Sequence, residues 1–446
     1  MKSSYYNFFF PFELDQTKRI AYNSLSGALA LMDEESYRKY DEFSNNEKSI
    51  SDEKLVDELK KGFFLIDDHV NELHVIRHNM LANRFSTSSF GMTISPTSDC
   101  NFRCVYCYEK DVISKVYMTE VIQRKIVEIL ENQIKTISTF SVTWYGGEPL
   151  LAMDTISNLS HEFIKHCSEN DVDYHAGVIT NGYYLTRNNL ERLNKLNINM
   201  IQITLDGMPE THDKRRPLAN GAGSFDTIIN NLIDNYDLLP RVALRINIDI
   251  DNLNSGEYIY SILKKNNMLE KIRPYFGQVV NDNKTYDDST CLNTCDYANA
   301  EYDYSLYVSE NTDPYVKYPT FRPNYCGADY RNSLVVGADG DLYKCWSDIG
   351  YKDRTIGNIL GKETTANDIY YKYIMFDPTQ DEDCSKCNLL PICMGGCPNR
   401  RILNATNECS IYRYILDRCL KDAAKLLKER AKEEKDVCTD CKCECS

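Results

Sequence analysis

Between Phe90 and about Val280, short apolar runs alternate with amphipathic segments of helical period. Met92–Thr97, Ser141–Tyr145, His175–Thr180, Met200–Asp206, Ala243–Asp249 and Ile272–Gly277 read as six strands. Between them, Ile122, Ile126, Ile129 and Leu130 recur at helical spacing, as do Leu190, Leu193 and Leu196. Such alternation predicts an α/β fold, a parallel sheet covered by helices, and six units predict a partial (β/α)6 barrel over 90–280. Ligands gather at the carboxyl ends of strands in sheets of this kind, so the residues that follow each run are where chemistry is expected.

The flanks have a different rhythm. Residues 1–89 read as a small unit of their own. Arg19–Leu31 forms a hairpin turning at Asn23, Ser24 and Gly27. Glu34–Phe43 and Asp52–Lys61 are helices, and Phe63–Ile66 is a short strand. The second helix has Ser51 as its N-cap, Leu55 and Leu59 on one face, and Gly62 at its end. Residues 281–430 are irregular and rich in cysteine. They close with a helix, Ile411–Lys428, whose stripe is Ile411, Ile415, Leu416, Leu420 and Leu427. In 431–446 a charged run, Lys432–Lys435, reads as a solvated helix end and a Cys-rich tail follows.

Composition narrows the class. At 446 residues the chain exceeds one ordinary core, and 42% apolar with 26% charged residues is typical of globular protein. A net charge of −15 argues against nucleic acid as a partner, since phosphate binding needs a basic footprint. No run of eighteen apolar residues exists, and Met1–Phe12 lacks the features of a signal peptide, so a cytoplasmic protein away from membranes is expected.

Eighteen cysteines are the outlying number, and without a secretory context they read as metal ligands or catalytic thiols. Cys100, Cys104 and Cys107 directly follow the first barrel strand. Three thiolates in an eight-residue loop hold three irons of a four-iron cluster and leave the fourth open, whereas an electron-transfer cluster normally has four. Taken alone, the loop also fits half a zinc site. Further unusual residues fall at later strand ends: Tyr145-Gly146-Gly147-Glu148-Pro149, Thr180-Asn181-Gly182, and Thr204-Leu205-Asp206-Gly207 followed by His212-Asp213 and Arg215-Arg216. Glycines at a strand end let the backbone approach a ligand closely. Cys167 and Cys419 lie on amphipathic helices and read as buried packing.

The spacing of Cys100, Cys104 and Cys107, with these motifs in this order, resembles the radical S-adenosylmethionine enzymes. That resemblance implies a catalytic [4Fe–4S] cluster on the three cysteines. It implies S-adenosyl-L-methionine beside Tyr106 (adenine), Gly146, Gly147 and Glu148 (ammonium), and the polar contacts Asn181, Thr204 and Asp206. It also implies reductive cleavage to a 5′-deoxyadenosyl radical that takes hydrogen from a substrate carbon.

Downstream, Cys326 is followed after thirteen residues by Gly340 and after four more by Cys345; then come Cys384, Cys387, Cys393, Cys397 and Cys409. The pattern resembles the SPASM domain of peptide- and enzyme-maturing members. It implies an outer auxiliary cluster on Cys384, Cys387, Cys393 and Cys409, and an inner one on Cys326, Cys345 and Cys397. Cys295 is the first choice for the inner fourth ligand and Cys291 the second; with neither, an iron stays open to a substrate thiolate. Paired cysteines of this kind also suit zinc.

Residues 1–89 resemble the winged-helix peptide-recognition domain related to the pyrroloquinoline-quinone chaperone; a lid or packing unit is the alternative. The sulfatase-maturing subgroup carries an aspartate where this chain has Trp346. The expectation is therefore an oxidoreductase that matures a ribosomally made precursor peptide, first choice a cysteine thioether crosslink, with a ferredoxin or flavodoxin as electron donor. Formylglycine formation on a sulfatase, a carbon–carbon crosslink, and a non-catalytic metal-binding protein are the alternatives. Cys438, Cys441, Cys443 and Cys445 bind a further metal, mimic a Cys-rich substrate, or have no role.

Overall fold

The computed structural model describes residues 1–46, 48–310, 318–361, 367–404 and 409–440. Three antiparallel strands, β1 (Asn7–Pro11), β2 (Lys18–Asn23) and β3 (Leu29–Asp33), open the chain. Helices α1 (Glu34–Ser44), α2 (Glu53–Lys61) and α3 (Glu72–Arg84) follow, and Lys2–Ser3 pairs with Leu65–Ile66. The expected hairpin is β2–β3. The cap of α2 is Asp52 rather than Ser51, because the Asp52 carboxylate accepts the Leu55 N–H.

Six parallel strands stand side by side in sequence order: β4 (Ser89–Ile94), β5 (Thr139–Trp144), β6 (Asp173–Ile179), β7 (Ile198–Thr204), β8 (Arg241–Ile248) and β9 (Ile272–Gln278). This is the arrangement of a partial barrel. Alternate residues, such as Phe140, Val142 and Trp144 on β5 or Val242, Leu244, Ile246 and Ile248 on β8, join one apolar core with the covering helices. Those helices include α4 (Glu120–Gln133), α5 (Met153–Glu169) and α6 (Arg187–Lys195). The other alternates face the lumen. Cys167 is buried in this core. Each strand ends one to three residues before the apolar run does, except β9, so the conspicuous motifs lie in the loops.

The sheet does not stop at residue 280. β10 (Ser333–Val336) pairs in parallel with β4, and β11 (Asp341–Tyr343) and β12 (Gly357–Asn358) extend it antiparallel. Nine strands are therefore continuous, and the second inner cysteine, Cys345, follows β11 by two residues. The segment between β9 and β10 contains a 17-residue helix, Thr294–Glu310, where irregular chain was expected. The C-terminal helix runs Tyr412–Asp440, longer than its apolar stripe. Cys441, Cys443 and Cys445 lie outside the described residues.

Candidate active site at the carboxyl ends of the barrel strands

The loop bearing Cys100, Cys104 and Cys107 is clamped by backbone. Arg103 N donates to Pro217 O (2.8 Å), Val105 N donates to Arg215 O (2.9 Å), and the fully buried Phe102 bridges to Leu218. The thiols lie within electrostatic reach of one another. Burial pushes Cys100 up to about 12, with the Glu148 carboxylate adding to it. It also raises Cys104, which the Arg216 guanidinium opposes, and Cys107, where Glu109 adds to the rise. Crowded, desolvated thiols of this kind ionise only when a cationic centre takes them as ligands. The Nε of Arg216 and the Nδ2 of Asn101 are buried in the walls of this loop without partners among the described residues. Such donors suit an anionic, thiolate-ligated group, whose sulfurs accept hydrogen bonds. Among the described residues no three His, Cys, Asp or Glu side chains converge on a single ion site, and a cluster held through separate irons needs no such convergence.

The Gly-Gly-Glu turn packs directly on the cysteine loop. A Cβ on Gly146, whose φ is +92°, would lie 2.0 Å from Ser95 Oγ, and one on Gly147 would lie 2.2 Å from Asp99 O. These glycines bring loop against loop. Glu148 is fully buried and its carboxylate accepts from Leu150 N (3.0 Å), Thr180 Oγ1 (2.7 Å) and Asn181 N (2.8 Å). Burial raises its pKa and these donors oppose the rise. The residue expected to meet an ammonium group thus also ties the second strand end to the third. Asn181 Nδ2 in turn donates to Asn101 Oδ1 (2.8 Å), beside Cys100.

A polar knot sits across the opening at Asp206. Its Oδ2 accepts from Tyr106 Oη (2.6 Å) and Arg215 Nε (3.2 Å), and its Oδ1 from Asn247 N (3.2 Å). Tyr106 Oη also accepts from Arg216 Nη1 (2.9 Å) and Asn247 Nδ2 (3.0 Å). Arg215 pairs again with Asp249 Oδ2 at 2.5 Å, and Tyr286 Oη donates to the same oxygen. Burial works against the charge of Arg216, yet Cys104, Tyr106 and Asp206 hold its pKa above the ordinary value. Thr204 ends β7 nearly buried, in register with Arg245. Asn247, Asp249 and Tyr286 were not singled out from the sequence. The signal for the first two was polar residues interrupting the apolar run at the end of the fifth strand.

The later cysteines gather in two groups. Cys326 senses Cys397, and Cys345 senses both. Burial pushes Cys326 up to about 12 and raises the other two. Cys387 senses Cys393 and Cys409. Burial pushes Cys384 up to about 11 against the pull of Arg401, whose Nη2 lies 3.4 Å from its Sγ, while Arg413 Nη1 lies 3.1 Å from Cys409 Sγ. Guanidinium donors on sulfur suit thiolates. Cys295 meets Asn299 of its own helix, whereas Cys291 shares the neighbour Asp282 with Cys397. Tyr145 spans the two sites, sensing Cys107 on one side and Cys345 on the other, and its ring lies 5.4 Å from that of the half-exposed Trp346.

The sequence profile of the Radical SAM superfamily matches residues 94–250, from the end of β4 to just past β8. Residues 94–250 form a radical S-adenosylmethionine domain. The chain is an enzyme that carries this domain, and the cofactors of the domain are a [4Fe–4S] cluster and S-adenosylmethionine. It is similar to the cysteine-type anaerobic sulfatase-maturating enzyme of Clostridium novyi (strain NT), 26% identical over 354 residues, which are 72% of this chain and 90% of the relative. The enzyme of the same description from Clostridium perfringens (strain 13 / Type A) is 23% identical over 69% of this chain and 88% of its own. Among solved structures, anSMEcpe with bound AdoMet and Cp18Cys peptide superposes with a TM-score of 0.60 at 18% identity, covering 76% of this chain and 99% of that one. Streptococcus suis SuiB bound to precursor peptide SuiA superposes at 0.54 and 13% identity, covering 92% and 98%. These two likenesses concern the fold. No helix among the described residues is long and apolar enough to cross a membrane.

Proposed function

We propose that this radical S-adenosylmethionine enzyme matures a ribosomally made precursor peptide, and that the bond it forms is a cysteine thioether. Cys100, Cys104 and Cys107 hold the catalytic cluster, and Tyr106, Gly146, Gly147, Glu148, Asn181, Thr204 and Asp206 line the cosubstrate. Bound there, cluster and S-adenosylmethionine supply hydrogen-atom abstraction from an unactivated carbon. Cys384, Cys387, Cys393 and Cys409 hold an outer cluster. Cys326, Cys345 and Cys397 hold an inner one, completed by Cys295 or by Cys291, which shares the neighbour Asp282 with Cys397. The protein's own work is to exclude water and fix one carbon–hydrogen bond between the two thiol sites. A peptide substrate is supported by the SuiB structure, which holds a precursor peptide and whose likeness spans 92% of this chain. Residues 1–89 are proposed as the leader-recognition unit.

The single observation that carries the thioether reading is Trp346. The position after Cys345 presents a half-exposed aromatic ring stacked toward Tyr145. The nearby Asp348 is buried and committed to Tyr373, Asn399 and Arg354, so it is not free to serve as the base there. The second reading, formylglycine formation, is favoured by the sulfatase-maturating relatives. Anaerobic reconstitution with reductant and S-adenosylmethionine should yield 5′-deoxyadenosine. A cysteine-containing peptide encoded next to the gene should then lose two hydrogens per event. Conversion of a sulfatase cysteine to formylglycine, with no such peptide product, would replace the first reading by the second.

A further inference from the structure

The barrel lumen contains a guanidinium with no counter-ion among the described residues. On β8 the even-numbered residues from Val242 to Ile248 belong to the outer core, so Arg245 faces inward, in register with Thr204 on β7 and Tyr275 on β9. Its Nε donates to Asn247 Oδ1 at 2.6 Å and its Nη2 only grazes Gln278 O at 3.5 Å. Among the described residues no carboxylate lies within ion-pair distance of it. Arg215, one layer nearer the loops, takes two carboxylates, Asp206 and Asp249. The chain has 66 acidic residues against 51 basic ones, so a half-buried cation left without a partner is not for want of carboxylates.

A second, independent feature shows that the place is built. A Cβ on Gly277 would lie 2.2 Å from Arg245 Nε and 2.4 Å from its Cζ. The guanidinium therefore lies flat on a strand position that only glycine leaves open. The third feature is Tyr145, which senses Arg245 together with Cys107 and Cys345, and whose hydroxyl makes no hydrogen bond among the described residues. A cation and a phenol without a hydrogen-bond partner among the described residues thus lie within electrostatic reach of each other.

We propose that Arg245, assisted by the Tyr145 hydroxyl, binds a carboxylate inside the barrel. The planar fork of an arginine takes a carboxylate through two parallel hydrogen bonds. The inference rests on the proposed function for the claim that a peptide enters here. Two carboxylates then meet this point with the same chemistry: the α-carboxylate of S-adenosylmethionine and an Asp or Glu side chain of the peptide.

The test uses the full chain, reconstituted anaerobically, as wild type, Arg245→Gln, Arg245→Lys and Gly277→Ala. Binding of S-adenosylmethionine and of its decarboxylated analogue is measured by equilibrium dialysis. A synthetic library of cysteine-containing dodecapeptides is then selected on each protein in the presence of S-adenosylmethionine. Arg245→Gln and Gly277→Ala are expected to weaken one carboxylate about 10- to 100-fold, and Arg245→Lys less. Loss confined to S-adenosylmethionine, sparing the decarboxylated analogue, assigns the site to the cosubstrate. Unchanged cosubstrate binding with lost enrichment of Asp and Glu assigns it to the peptide. Gly277→Ala keeps the arginine and displaces it, so it decides the matter should Arg245→Gln not fold. Wild-type affinities and wild-type peptide selection in variants with normal iron content overturn the proposal. Failure of the wild type to form 5′-deoxyadenosine would instead sink the proposed function, leaving the binding arms readable.

Discussion

The imidazole of His212 is held neutral because its Nδ1 accepts the Asp206 N–H, its Nε2 meets Ser224 Oγ, and the ring is buried between Arg215 and Arg216. Burial comes first among the causes that drive its pKa well below the ordinary value. An unfolded histidine titrates near about 6.5. The interaction therefore stabilises the fold above that pH and is lost as pH falls through the lower, folded value. His212→Gln, which cannot take up a proton, should cost about 1–2 kcal/mol at pH 8, with the gap to wild type narrowing below about pH 6. Thermal midpoints recorded anaerobically from pH 5 to 8 check this, and a constant gap would contradict the neutral ring. At the same scale, replacing Cys100, Cys104 and Cys107 together by alanine should abolish 5′-deoxyadenosine formation. About four irons per chain should leave while the auxiliary iron stays, as read by metal analysis. Unchanged cleavage in that variant would remove the catalytic assignment.

Elements act here through the loops that join them. Gly147 touches the backbone of Asp99, so Gly147→Ala must push the second strand's turn away from the cysteine loop. The expected outcome is loss of the iron–sulfide absorbance of the catalytic site and of cosubstrate cleavage, with the auxiliary absorbance retained. A fully loaded, active Gly147→Ala protein would show that the contact is dispensable. The six barrel strands were legible in the sequence because each is a short, largely apolar run set between amphipathic segments, and because the lumen-facing alternates still carry polar residues such as Thr143, Gln202 and Arg245. Helix α3 was not legible, since its buried face is little more than Ile76, Met80 and the arginine Arg84, whose guanidinium is spent on Asn324 Oδ1 and the carbonyls of Ile374 and Phe376. Nor was the parallel pairing of β10 with β4 legible, because it joins residues some 240 positions apart and leaves no local periodicity. The cysteine spacings carried the expectation of auxiliary clusters. The choice between Cys291 and Cys295 depends on which way each side chain turns, and spacing does not carry that.

Across the whole molecule, the N-terminal unit is seated on the cysteine-rich region rather than tethered to it. Phe12, Ile20 and Tyr22 share a core with Ile392, Leu416 and Leu420, and Tyr6 and Met80 share another with Leu390 and Met394. Ser24 Oγ donates to Asn388 O (2.7 Å) and Tyr22 Oη to Pro319 O (2.8 Å). Leu420→Ala, at a fully buried position, should cost about 2–5 kcal/mol and loosen this seat. Limited proteolysis should then cut at the exposed Thr87–Ser88 link and release the first unit, whereas the wild type resists; equal resistance would argue against a shared core. The continuous nine-stranded sheet has a further consequence. Because the loop of Cys107 and the hairpin leading to Cys345 grow from strands of one hydrogen-bonded fabric, the gap between them is a ruler of fixed length. Side chains that line that gap, Trp346 among them, can then be exchanged while the graduations themselves stay where the backbone put them.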